Sequence, residues 1–174
     1  LSGSLLIQNR QRAIRLDARL LRLITKSLLT ELLELEDFDL AVCIVRAPKM
    51  ARINETFLQH TGSTDVITFD YSKNVLPASC RQIDSKLPAG CLKHVHGEIF
   101  ICIDDAMAQA REFRTSWQSE IARYVIHGVL HLLGYDDIRP ADRRKMKREE
   151  NRLLKKVSRL FPLRKLGVGS KLAA

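Results

Sequence analysis

The sequence predicts an α/β (α+β layered) domain: a small mixed four-stranded sheet packed with about five helices. Three observations carry this. Four short runs are rich in apolar and β-branched residues, five longer stretches place apolar residues at helical spacing, and the two kinds alternate along the chain. A segment that is apolar on one side must bury that side against another layer, so a mixed order of this kind gives helices on a sheet.

The elements follow in order. "SLLIQNRQ" (4–11) reads as a short strand. Asp17 has the character of a helix N-cap, and Leu20, Leu21, Ile24, Leu28 and Leu32 continue at helical spacing, so a helix is expected over 18–35. "FDLAVCIVRA" (38–47) is apolar and β-branched, as a central strand is. Pro48 opens a helix through about Phe57, with Met50, Ile53, Asn54 and Phe57 in phase. "TDVITFDY" (64–71) alternates as a strand does, and residues 72–96, with Pro77, Pro88 and Gly90, read as a long exposed loop. "GEIFICI" (97–103) is the fourth strand. Asp104 or Asp105 is expected to cap a helix to about Phe113. "TSWQ" has the form of a capping box, with Thr115 at N-cap and Gln118 at N3, opening a helix to Leu133. Pro140 starts the last helix, which runs to about Leu160. Helical connections over 18–35 and 48–57 favour parallel strand neighbours, whereas 64–71 to 97–103 reads as an antiparallel return.

A chain of 174 residues is read as one domain over 1–160, followed by a basic, flexible tail over 161–174. No apolar run approaches the roughly 18 residues of a membrane span, and residues 1–13 do not have the pattern of a secretory signal. Cys43 and Cys102 lie in apolar strands as buried thiols. Cys80 and Cys91 flank a polar stretch and could pair, but nothing in the sequence forces it, and no CxxC is present. The reading is a reducing, cytoplasmic compartment without a membrane partner.

The net charge of +9 is concentrated at one end. Residues 139–174 hold thirteen Lys/Arg against three Asp/Glu, leaving residues 1–138 close to neutral. Such asymmetry fits a polyanion partner such as RNA or DNA, and equally a solvated basic helix. Arg143, Arg144, Lys147 and Arg148 are the candidate phosphate contacts, with Lys155 and Lys156 farther along.

The chemistry centres on "HGVLHLLGYDD" (127–137). His127 and His131 stand one helical turn apart, on one face, where both imidazoles can grip one ion. Gly134 follows where a helix ends in a left-handed residue, so the chain can reverse and bring Asp136 or Asp137 back to the rings. Two histidines at this spacing also occur by chance; the glycine and carboxylates that follow strengthen the metal reading. Gly128 occupies the place of the glutamate in the zinc peptidase motif HExxH, so a peptidase would lack its base, and no general base is assigned. Glu120 is either a carboxylate orienting a histidine or a partner within its own helix, the second being favoured. His94 and His96 are secondary metal candidates; His60 reads as a loop histidine, Trp117 as packing, and Asp65 as bonding local amides.

"HGVLHLLGYD" and the residue after it resemble the signature of the YbeY family, bacterial metal-dependent endoribonucleases of ribosomal RNA maturation. That family's three histidines, spaced His-x3-His-x5-His, fall on His127, His131 and Asp137. Asn54 followed by "TDVITF" (64–69), and "GEIFI" from Gly97, resemble two further motifs, so the likeness spans about 40–137. It implies one divalent ion, zinc first among candidates, held by His127, His131 and Asp137 at the end of a helix. It further implies an endoribonuclease that uses a metal-activated water in small-subunit ribosomal RNA processing, with ribosomal RNA and the small ribosomal subunit as partners. Two departures stand out. Asp137 replaces a histidine, which keeps a ligand but adds negative charge and lowers Lewis acidity. Leu58 stands where the family carries an arginine. The alternatives are a non-catalytic RNA- or ribosome-binding assembly factor with a structural metal, and another metal hydrolase.

Overall fold

A computed structural model describes residues 2–72 and 94–167. Cys80 and Cys91 and most of the expected 72–96 loop lie outside the described residues, as do residues 168–174. Among the described residues the four strands are β1 (Ser2–Asn9), β2 (Asp37–Val45), β3 (Val66–Asp70) and β4 (His94–Cys102). The five α-helices among them are α1 (Ala18–Ser27), α2 (Ala47–Ile53), α3 (Ile103–Glu112), α4 (Trp117–Leu132) and α5 (Pro140–Leu160). The expected mixed sheet with five helices is what forms.

The sheet order is β1-β2-β4-β3. β1 and β4 each run parallel to β2, and β3 runs antiparallel to β4. The expected β3–β4 return is therefore present, and so is the parallel pair across α1. The expectation of a parallel neighbour across 48–57 is corrected: β4 inserts between β2 and β3, taking the central place beside β2. β4 alternates between fully and partly buried residues, while the second half of β2 is buried on both faces. One face carries the main core, in which Leu40, Val42, Ile44, Ile99 and Ile101 meet α1, α4 and α5. The other carries a smaller cluster of Val45, Met50, Ile53, Ile67 and Cys102 against α2. Cys43 and Cys102 are buried free thiols, as expected.

Local details refine the helix ends. Asp17 caps α1 as expected, its carboxylate accepting from the Arg19 and Leu20 amides at 3.0 and 2.9 Å. α1 then gives way to a π-helical turn at Leu28–Leu32, and α2 to another at Asn54–Leu58. The cap of α3 is corrected. Cys102 is its N-cap, and Asp104 lies in the first turn, accepting from the Arg46 guanidinium and the Ala47 amide. The Arg46 guanidinium chiefly, with the Ala47 amide, holds the Asp104 carboxyl below its ordinary pKa against the opposing effect of burial. The cap of α4 is also corrected, from Thr115 to Ser116, whose hydroxyl accepts from the Ser119 amide at 3.2 Å. The Thr115 hydroxyl instead donates to Glu120. Beyond α5, residues expected in a loose tail pack down: Leu163–Leu166 forms a 3-10 turn with Leu163 and Leu166 buried, and Gly167 bridges to Leu16. Two leucines in a basic segment are enough to fasten it.

Candidate metal centre

α4 carries both histidines, and its seat on the sheet fixes where they point. Gly128 lies against β4. A Cβ there would come within 2.8 Å of two Ile99 side-chain atoms, and Ile99 is wholly buried. A side chain at this position requires Ile99 or the helix to shift. With Gly128 on the sheet, His127 and His131 fall toward the junction of α4 with α5, both partly exposed.

The end of α4 is a complete Schellman motif. Gly134 adopts φ +84°, its amide donates to the His131 carbonyl at 2.9 Å, and the Tyr135 amide donates to the Leu130 carbonyl at 3.0 Å. This reversal returns the chain toward the rings. Tyr135 packs against the core, with the Lys145 ammonium over its ring. Asp136 turns its carboxylate to the Asp137 and Ile138 amides, at 2.7 and 3.0 Å, and so braces the loop. Arg143 Nε donates to the Asp137 carbonyl at 2.9 Å. These bonds leave the Asp137 carboxylate facing the histidines.

The three side chains converge. The Nε2 atoms of His127 and His131 are 3.1 Å apart, and Asp137 Oδ2 is 4.0 and 3.9 Å from them. All three donor atoms lie within 4.8 Å of one another, in the only group of three or more His, Cys, Asp or Glu among the described residues placed to hold a metal ion. A tetrahedral ion with bonds of about 2.0–2.2 Å spaces its donors by roughly 3.3–3.6 Å. The histidine pair, at 3.1 Å, is slightly closer than that, and the aspartate, at 3.9–4.0 Å, stands slightly farther out.

The hydrogen bonds behind the rings decide what the inner nitrogens can do. His131 Nδ1 is 3.1 Å from the Tyr135 carbonyl, and His127 Nδ1 is 3.1 Å from Glu150 Oε2. Both partners only accept, so each Nδ1 carries a proton, which in the neutral imidazole leaves Nε2 as the lone pair. Two lone pairs facing at 3.1 Å repel unless a cation lies between them. Burial first, and the neighbouring His127 ring second, push the His131 pKa below its ordinary value. A divalent ion fits the donor set of two imidazole nitrogens and a carboxylate.

Glu150 is the residue that the sequence did not single out. It lies on the inward face of α5 in phase with Met146, Leu153, Leu154 and Val157, only 3% exposed. Its Oε2 faces His127, and its Oε1 accepts from Arg123 Nη1 at 2.6 Å and Lys147 Nζ at 3.0 Å. Burial acts to raise its pKa, but the bonds from His127, Arg123 and Lys147 outweigh burial and hold it at about 2. The signal available was a glutamate on an otherwise apolar helix stripe. Glu120, by contrast, pairs with Thr115 and Arg123 rather than with a histidine.

The other candidates separate. Arg143 and Lys147 line a cleft of about 680 Å³ together with His127 and Asp137, whereas Arg144 and Arg148 sit on the exposed face of α5, outside that lining. His94 and His96 do not join the centre; they pair with Asp37 and Asp39 of β2 at 3.2 and 3.6 Å. His60 is exposed, Trp117 packs against the core, and Asp65 accepts from the Val66 amide and the Thr64 hydroxyl. Leu58 is exposed and supplies no charge. No helix among the described residues is long and apolar enough to cross a membrane.

Two histidines and an aspartate thus converge at the end of one helix of an α/β domain, in a group that could hold one metal ion. Comparison with known proteins gives the family. The sequence model described as "Endoribonuclease YbeY" matches residues 6–158, and the chain belongs to the YbeY family. Proteins of the same name from Salinibacter ruber and Chlorobium luteolum are 36% and 39% identical over 106 and 108 residues. Those matches cover 61% and 62% of this chain but 62% and 66% of the relatives, so the chain spans less than two thirds of their length. The Caldicellulosiruptor bescii relative is 31% identical over 157 residues, with 87% of this chain and 95% of that protein covered. Among solved structures, the solution structure of TM1509 from Thermotoga maritima has a TM-score of 0.61 at 23% identity, covering 98% of this chain and 99% of that one, and shares the fold.

Proposed function

We propose that this chain is a metal-dependent endoribonuclease that processes small-subunit ribosomal RNA in the cytoplasm, with one divalent ion, zinc first, held by His127, His131 and Asp137. The observation that supports it most is the pair of opposed Nε2 lone pairs 3.1 Å apart with a carboxylate beside them, in a chain whose relatives carry the name Endoribonuclease YbeY. When bound, such an ion polarises a phosphoryl oxygen or activates water for attack at phosphorus. The protein's own contributions are separate. Glu150 and the Tyr135 carbonyl keep both rings in the tautomer that offers Nε2. Arg143 and Lys147 place positive charge in the same cleft, where they suit backbone phosphates, and Arg144 and Arg148 extend that charge along α5. A peptidase is disfavoured on packing grounds, because the position of its glutamate is Gly128, closed by Ile99.

The test is cleavage of structured ribosomal RNA by the purified chain. Cleavage should require added divalent metal and should disappear in His127→Ala. Leu58 and Asp137, both departures from the family pattern, favour a second reading, a non-catalytic assembly factor. RNA binding without metal- and His127-dependent cleavage would establish that reading instead.

A further inference from the structure

The apolar side of α1 is spent on the core through Leu21 and Ile24, and its other side carries charge of one sign. Arg19, Arg22 and Lys26 recur there at helical spacing, all exposed. Residues 10–30 hold six Lys/Arg and one acid, Asp17, whose carboxylate is occupied by the Arg19 and Leu20 amides. None of the three cations on α1 pairs with an acidic side chain among the described residues. This pattern works against the helix. Like charges one turn apart repel, and Arg19 stands in the first turn, where the dipole favours an acid. Solubility alone asks for charge, not for charge of a single sign. The loop before α1 adds Arg12 and Arg15 in a fixed shape. Gln11, 5% exposed, accepts from the Ala13 and Ile14 amides at 2.7 and 3.1 Å and donates to the Ile14 carbonyl at 3.0 Å. That buried amide holds Arg12 and Arg15 in the lining of an open hollow of about 590 Å³. The Asp17 amide donates to the Leu166 carbonyl at 2.9 Å and Leu16 bridges to Gly167, which sets the exposed Arg164 and Lys165 at the same end of α1.

Exposed guanidinium groups without a carboxylate partner suit phosphate, which each can meet with two parallel hydrogen bonds. A bilayer would need an apolar face to enter, and Leu23 is the one large apolar side chain exposed on α1. We propose that α1, the loop before it and the 163–167 turn form a second RNA surface, which binds the phosphate backbone of a segment lying outside the metal cleft. None of its cations lines that cleft. The Gln118 side chain, in the first turn of α4, donates to the Arg164 carbonyl at 3.4 Å, and His131 lies thirteen residues farther along the same helix. At about 1.5 Å per residue the two ends are about 20 Å apart, the length of roughly six stacked nucleotides at about 3.4 Å each. The inference rests on the endoribonuclease reading and adds to it a second anchor for RNA long enough to span both places.

The experiment is fluorescence anisotropy of the metal-loaded full chain with a labelled single-stranded RNA of about twenty-four nucleotides, titrated across a salt series. Arg19→Gln/Arg22→Gln removes two phosphate contacts. The slope of log affinity against log salt should become shallower by about 1.4, and affinity at about 0.15 M salt should drop roughly tenfold. The thermal midpoint should not fall, because both side chains are exposed and repel each other. Lys49→Gln/Arg52→Gln, an equal loss of charge from exposed positions of α2 on the opposite face of the sheet, should leave the slope at its wild-type value. An unchanged slope in Arg19→Gln/Arg22→Gln overturns the surface, as does an equal change in the two double variants. Binding of the wild-type chain to phosphatidylserine vesicles that this variant loses, with RNA affinity intact, overturns it in favour of a bilayer. If the wild-type chain does not bind the RNA at all, the endoribonuclease reading falls as well, a result distinct from RNA binding that ignores Arg19 and Arg22.

Discussion

Replacing Glu150 by glutamine removes a charge and almost no volume from the junction of α4 and α5. The carboxylate takes three donors, from His127, Arg123 and Lys147, in a site where it is 3% exposed. Holding its pKa at about 2 in place of 4.5 corresponds to about 3 kcal/mol, at roughly 1.4 kcal/mol for each tenfold change. Part of this returns in the variant, since Lys147 is well exposed and regains water. The expected loss at neutral pH is about 2–3 kcal/mol, or roughly 5–10 °C in thermal midpoint for a chain of this size. The sign follows from the lowered pKa. The stabilisation is complete above the ordinary carboxyl value of 4.5 and fades as pH falls from there toward 2. The difference between wild type and Glu150→Gln, measured by thermal unfolding of chelator-treated protein, should therefore be large at pH 7 and shrink steadily in acid. The same substitution gives a neutral amide behind His127, so its Nδ1 loses a charged acceptor. Metal affinity, read by competition with a chromophoric chelator, should weaken about 10- to 100-fold. Equal midpoints at pH 7, or a difference that does not change with pH, would refute the account of Glu150.

Three further outcomes are expected. Gly128→Ala puts a methyl 2.8 Å from Ile99 atoms and should cost about 1–3 kcal/mol in urea unfolding; adding Ile99→Val should recover part of that loss. Gly134→Ala meets no neighbour but must adopt φ +84°; about 1–2 kcal/mol should be lost, and metal affinity should fall, because the reversal that presents Asp137 depends on this residue. Asp136→Ala should weaken metal binding only partially, through a looser loop, whereas Asp137→Ala should reduce it far more and Asp137→His should retain it; a chelator competition titration ranks the three.

The part of this molecule legible in the sequence is the part set by local pattern. α5 begins at Pro140 and ends at Leu160 because proline fixes its first turn and the apolar stripe runs through Val157. Asp17 and Gly134 could be read because a cap and a helix stop are properties of single residues. Sheet order is a different kind of fact. β4 enters between β2 and β3 by long-range pairing that no short window records. Thr115 and Ser116 are both competent caps, and a neighbour chose between them: Glu120 engages Thr115. Glu150 escaped notice because its role is created by helix α4, which brings His127 and Arg123 to it from more than twenty residues away. The basic helix showed its charge but not its facing, so Arg143 and Lys147 could not be told from Arg144 and Arg148 until α5 was packed.

The most direct measurement is the metal content of the purified chain, by elemental analysis, in wild type and in the His127→Ala/His131→Ala double variant. One divalent ion per chain in wild type and none in the double variant is the predicted result. An ion retained at wild-type stoichiometry after both histidines are gone would contradict the assignment of the centre.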